Sequence, residues 1–195
     1  MKDPKIPLAQ WYEEGLQFSC KVGCMRCCGG SPGDVWVTDE QIREIAMYLK
    51  MRPADFEAQY VRGMGERKSL IEKPNYDCIF VAEGPPPGYA AQVGQDWDKA
   101  RDPTPQELAS ATTDAAARRG PSGEPEQHPI AGRVGHCSIY PVRPTQCRTY
   151  PFWKSVLDRI GDSAWRMHSE SCPGINHGRT WTAEEIRARR SASNL

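Results

Sequence analysis

Cys20-Lys21-Val22-Gly23-Cys24-Met25-Arg26-Cys27-Cys28 puts four thiols into nine residues. A solvated loop has no use for thiols at that density. A metal ion or an iron–sulfur cluster does, because thiolates are soft ligands and a short loop can wrap several of them around one centre. Gly29-Gly30 and Ser31-Pro32-Gly33 follow at once and supply the backbone freedom for a tight wrap. The chain has eight cysteines, and the other four, Cys78, Cys137, Cys147 and Cys172, lie far downstream. Ligands so distant in sequence would tie remote parts of the chain to the loop.

Composition narrows the setting. A chain of 195 residues favours one domain, with or without an insertion. Lys+Arg and Asp+Glu both number 25, so no net charge argues for nucleic acid or an anionic membrane as partner. Only 38% of residues are hydrophobic, which implies a modest core to which a metal staple would add stability. Met1 to Leu8 is charged and proline-broken, without the apolar stretch of a secretory signal, and no apolar run approaches the length of a membrane helix. The expected compartment is the cytoplasm. Thiols stay reduced there, and clustered cysteines more often mean metal than disulfides.

Working outward, Val35-Trp36-Val37 is short, apolar and β-prone. Thr38-Asp39-Glu40-Gln41 has the form of a capping box, and Ile42, Ile45, Ala46 and Leu49 follow at helical spacing, predicting an amphipathic helix over roughly 39–50. Pro53 suits the first turn of a second helix with Phe56, Tyr60 and Val61 on one face. Leu70-Ile71 and Tyr76–Val81 are expected as strands, the second carrying Cys78, and His136–Tyr140 as a strand or turn carrying Cys137. Arg143-Pro144-Thr145 opens a helical turn through Cys147, and Thr182-Ala183-Glu184-Glu185 caps a last helix. Residues 84–133 hold 8 of the 17 prolines and few large apolar side chains, so they are expected to form a flexible surface insertion, with Thr104-Pro105-Gln106-Glu107 capping a short helix inside it. The fold class expected is α+β: one small metal-stapled domain over 1–195, with a few short strands and helices and a cysteine-rich N-terminal loop.

The motifs around the cysteines resemble one family. Phe18-Ser-Cys20-Lys-Val-Gly-Cys24-Met-Arg-Cys27-Cys28, Asp77-Cys78-Ile79-Phe80, Cys137-Ser-Ile-Tyr-Pro-Val-Arg-Pro-Thr-Gln-Cys147-Arg-Thr-Tyr-Pro-Phe-Trp153 and Cys172-Pro173-Gly174 are similar to those of the CxxCxxCC proteins, described as zinc- or iron-chelating. The resemblance covers roughly 16–83 and 134–176 and accounts for all eight cysteines. It implies metal binding without a settled reaction. The chain departs from the pattern in a three-residue first gap, Lys21–Gly23, and in the insertion between Cys78 and Cys137. A related cluster occurs in flagellin lysine N-methylases.

Eight thiolates suit two four-thiolate zinc sites, or one [4Fe–4S] cluster with the remaining thiols free, structural or on another ion. Cys27 and Cys28 are adjacent, and adjacent side chains usually diverge, so they are expected to serve two centres or to leave one outside the ligand shell. Lys21, Arg26, Arg143 and Arg148 lie beside the cysteines and would offset thiolate charge. His136 and His168 are expected as hydrogen-bond partners near the ligands, and His128 and His177 as exposed loop residues. Phe152, Trp153 and Tyr150 are expected to wall the centre from water. Four other classes compete. A radical S-adenosylmethionine enzyme shares the Cys20-x3-Cys24-x2-Cys27 spacing but needs strands alternating with helices. A methyltransferase would need a glycine-rich cofactor loop, and none is visible. A redox thiol protein would carry reversible disulfides and no metal. A zinc ribbon on nucleic acid would want paired knuckles and a basic face, and the chain offers neither.

Overall fold

The computed structural model describes residues 11–97, 99–100, 133–158 and 162–193. Within them the fold is mixed α+β, built from short elements. The strands are β1 (Leu16–Phe18), β2 (Val35–Val37), β3 (Val61–Met64), β4 (Arg67–Leu70), β5 (Val81–Glu83), β6 (Gly135–Cys137) and β7 (Ile175–Trp181). The helices are α1 (Asp39–Tyr48), α2 (Pro53–Tyr60), α3 (Thr145–Thr149), α4 (Lys154–Leu157), α5 (Ser163–Ser171) and α6 (Ala183–Ala192). The strands form a three-stranded sheet in the order β2-β4-β3 and two antiparallel pairs, β1-β7 and β5-β6.

Local chemistry explains the N-terminal half. Thr38 accepts from the Gln41 amide and Gln41 reaches back to the Thr38 amide, so α1 starts on a closed capping box. Asp39 and Glu40 add negative charge where the helix dipole favours it. Pro53 occupies the first turn of α2, where its missing amide costs nothing. Val61, expected on the face of that helix, instead pairs with Leu70 and opens β3, as suits a β-branched residue. The β3-β4 hairpin turns through Gly65, whose φ of +63° is one that glycine adopts without strain. Val37, Ile42, Ile45, Ala46, Phe56, Leu70, Phe80 and Ile139 form the first core.

The second core belongs to the chain ends. Tyr12, Phe152, Val156, Leu157, Trp165, Ile175, Ala183 and Ile186 are buried together, under the β1-β7 pair and α4 to α6. The expected capping box of Thr182 is present and starts α6. Gln146 on α3 links the two halves: its side chain accepts from the Trp36 amide at 2.8 Å and donates to the Asp34 carbonyl at 2.8 Å, and its carbonyl takes the Trp153 indole N–H at 3.0 Å. Each end of that link is a satisfied polar group, which fixes α3 against β2.

Two expectations are corrected. Tyr76–Val81 is not one strand. Tyr76 is in the left-handed region at φ 63°, Cys78 makes only an isolated bridge to Glu72, and regular pairing begins at Val81. The first part of the stretch expected as a surface insertion is built into the fold. Gln92 and Asp96 are buried, the Gly94 and Trp97 amides donate to the carbonyls of Val22 and Cys20 at 2.9 Å each, and Lys21 pairs with Asp96. At the far end, Arg133 donates to buried Asp77 at 2.8 Å. Backbone pairing and buried ion pairs hold these residues where hydrophobic content alone gave no signal. The short helix expected at Thr104 lies outside the described residues, as does His128.

Trp97 packs 4.9 Å from Tyr140 and 5.1 Å from Tyr89. Trp97→Ala should therefore cost about 1–3 kcal/mol from two aromatic pairs, read by chemical denaturation. A chain joining Glu83 to Val134 by a Gly/Ser linker should melt lower than the intact protein. Unchanged melting of both variants would contradict the packing of this segment on the cysteine loop.

Candidate functional site

The cysteine loop leaves β1 and turns twice. Gly23, at φ 79°, lets the Cys24 amide fold back to the Lys21 carbonyl at 3.1 Å, and the Cys28 amide then returns to the Met25 carbonyl at 2.8 Å. The loop is pinned from outside. The Cys78 amide donates to the Cys28 carbonyl at 2.8 Å, and the Gly135 amide to the Gly23 carbonyl at 3.0 Å. Gly29 lies so close to Asp77 that a Cβ there would enter its carboxylate. Burial works against the Asp77 charge, yet hydrogen bonds from Arg133 and Asn75 outweigh it and hold the carboxyl below the usual range.

The downstream cysteines arrive on four separate elements. Cys78 precedes β5, Cys137 ends β6 directly opposite Val81, Cys147 sits on α3 beside Gln146, and Cys172 follows the last turn of α5 with its amide on the His168 carbonyl at 2.9 Å. The fold gathers them at the loop. Cys20, Cys24, Cys27, Cys28, Cys78, Cys137 and Cys147 line an inner cavity of about 120 Å³. Cys20, Cys24, Cys27, Cys147 and Cys172 line an adjoining outer cavity of about 200 Å³. Every cysteine of the chain thus faces one or both spaces. Trp97, Tyr140, Arg143 and Tyr150 belong to both walls.

Cys27 and Cys28 do not diverge as expected. Their sulfurs stand 3.8 Å apart, because the residues sit in a turn rather than in extended chain. That spacing is what two thiolates on one tetrahedral ion need, about 3.5–4 Å for Zn–S bonds near 2.3 Å. Among the described residues, no group of three or more His, Cys, Asp or Glu side chains stands ready-made as a ligand set for a single ion. All eight cysteines are free of disulfides.

The thiols also share an electrostatic problem. Burial, reinforced by Cys27 and Cys172, pushes Cys24 up to about 11. Burial, with Cys78 adding to it, pushes Cys137 up to about 11. Cys20 and Cys147 are driven higher still, by burial and by Cys27. Arg143 acts the other way on Cys20, Cys27, Cys137 and Cys147, because its positive charge favours the thiolate form. The Tyr150 hydroxyl bonds Cys172, and burial beside the thiols raises its own pKa. Several neutral thiols this close cannot all ionise unless a cation joins them.

His136 lines the inner cavity with Nδ1 held 3.0 Å from the Gly84 carbonyl, the partner role expected of it. His168 packs edge-on to Tyr150 at 6.2 Å, and His177 is exposed but lies in strand β7 rather than in a loop. Phe152 is fully buried in the second core, whereas Tyr150 and Trp153 stand in the inner wall. Arg179, Arg189 and Trp181 in the outer wall carried no sequence signal, since β7 and α6 bring them in from the C-terminal end.

No family model matches this chain. No solved structure matches it either. Among the described residues no helix is long and apolar enough to cross a membrane.

Raised thiol pKa values fix the sign of a pH effect. A thiol that titrates higher folded than unfolded stabilises the fold fully below its unfolded value of 9.0, and that stability is lost as pH climbs to the folded value of about 11 for Cys24 and Cys137. Chelator-treated protein should therefore lose thermal stability between those pH values. Calorimetry showing no loss across that window would contradict the packing of the thiols.

Proposed function

We propose that this protein binds zinc or iron through its eight cysteines. The observation that carries the reading is the convergence of all eight on two adjoining cavities, from one loop and four separate elements. The spacing of the Cys27 and Cys28 sulfurs supports it, as does the resemblance of the surrounding motifs to the CxxCxxCC proteins. The inner centre would draw four thiolates from among Cys20, Cys24, Cys27, Cys28, Cys78, Cys137 and Cys147, and an outer one would combine Cys172 with thiols left over from Cys20, Cys24, Cys27 and Cys147. Zinc would supply a closed tetrahedral crosslink. An iron–sulfur cluster, including the [4Fe–4S] form, would supply a one-electron site in the apolar inner space.

Val35, Leu70, Phe80, Val81 and Ile139 bring the first core up to the inner cavity, which favours a centre shielded from water. The protein's chain does the holding: hydrogen bonds at Gln146, Asp77 and the loop amides position the thiols, and Arg143 offsets their charge. Metal binding of this kind is coupled to folding, because the unfolded chain has no such site. The radical S-adenosylmethionine alternative finds less support. Every pair of named strands is antiparallel, so the parallel β/α barrel it requires is not among the described residues.

Anaerobic purification followed by elemental and sulfide analysis should find tightly held zinc or iron. Cys24→Ser and Cys27→Ser should each weaken metal binding by more than the about tenfold that loss of an outer partner costs, while His177→Ala changes nothing. A folded, metal-free protein, or cysteine variants with full metal content, would overturn the reading.

A further inference from the structure

Two kinds of group line the outer cavity. Cys20, Cys24, Cys27, Cys147 and Cys172 stand there with Tyr150, and Arg143, Arg148, Arg179 and Arg189 line the same space. Among the described residues no ion pair joins Arg143, Arg148 or Arg189 to a carboxylate, and Arg179 alone is paired, with Glu185.

Three of these groups are held by their faces. Arg179 and Arg189 lie 4.0 and 4.1 Å from the centre of the Trp181 ring, and Arg143 lies 3.9 Å from that of Tyr140. Trp181 is itself fixed, since its indole N–H donates to the Phe18 carbonyl at 2.8 Å. Arg189 is further placed by a hydrogen bond to the Arg148 carbonyl. A guanidinium stacked on a ring has its face satisfied and its in-plane N–H groups left to bond. That geometry matches the paired oxygens of a carboxylate or phosphate.

Neutralising thiolate charge does not account for all of them. Arg143 is the guanidinium that acts on several thiols. Arg189 instead feels burial, then the like charges of Arg179 and Arg143, which outweigh the opposing charge of Glu185, and its pKa falls below the ordinary arginine value. One carboxylate among three guanidinium groups leaves positive charge that a further anion would balance. The space of about 200 Å³ limits that anion to a small molecule.

We propose that the outer cavity binds a small oxyanion-bearing ligand, its carboxylate or phosphate seated between Arg143 and the Arg179–Trp181–Arg189 stack and its far end toward Cys172. The inference goes beyond metal binding and stands on the arginines, so the two are separable by experiment. The test is calorimetric titration of the purified full-length protein with citrate and with inorganic phosphate, with metal content measured on the same sample. Saturable binding is expected for at least one of the two, and the tighter of them assigns carboxylate or phosphate as the preferred group. Arg143→Gln and Arg179→Gln should each weaken it about tenfold, the scale of one lost charge-assisted hydrogen bond. Arg187→Gln, whose side chain pairs with Glu13, should leave it unchanged. Arg179→Gln should keep its metal. Absence of saturable binding by either anion, or binding indifferent to Arg143 and Arg179, would overturn the proposal. Loss of metal from Arg179→Gln without anion binding would also overturn it, by making that residue a counter-ion of the thiolates alone.

Discussion

Two small hydrophobic cores meet at a wall of cysteine side chains. Cys78 and Cys137 pack on the first core, Cys172 on the second, and Cys28 with Cys78 on the Met25–Val81 contact between them. Thiols pack as small hydrophobes, so the wall is compatible with either core. Its directional bonds are few and weak, and burial of several ionisable groups together carries a penalty. A cation that joined them would turn that penalty into crosslinks between loop, sheet and helix.

The same wall separates two environments. On the inner side the thiols meet Val35, Leu70, Phe80 and Ile139, apolar side chains that would shield a metal–thiolate centre from water. On the outer side they meet tyrosine and arginine, where charge can be delivered or exchanged. Trp97 and Tyr140 stand at the join, stacked 4.9 Å apart. A stretch dismissed by composition as surface insertion thus supplies an aromatic side chain to both spaces.

What could be read from sequence was what local chemistry decides. The capping boxes at Thr38 and Thr182 were legible because both partners lie within four residues. The gathering of Cys78, Cys137, Cys147 and Cys172 at the loop was legible because scattered thiols in a reduced chain have few other uses. What escaped depends on distant partners. Ile175–Trp181 reads as polar, and it is a strand only because β1, at the other end of the chain, offers a backbone edge. Asp96 and Gln95 look like loop residues until Lys21 and the Val22 backbone are beside them. The direction of the Cys27 and Cys28 sulfurs was misjudged because a turn, unlike a strand, lets neighbours face one way.

The central claim is that the shared wall is a metal–thiolate centre. X-ray absorption at the zinc and iron edges of the purified protein tests it directly, because the first coordination shell is measured without crystals. The account predicts a shell dominated by sulfur, with bonds near the roughly 2.3 Å typical of metal–thiolate coordination. A shell of oxygen and nitrogen at about 2.0–2.1 Å, with sulfur absent, would contradict it.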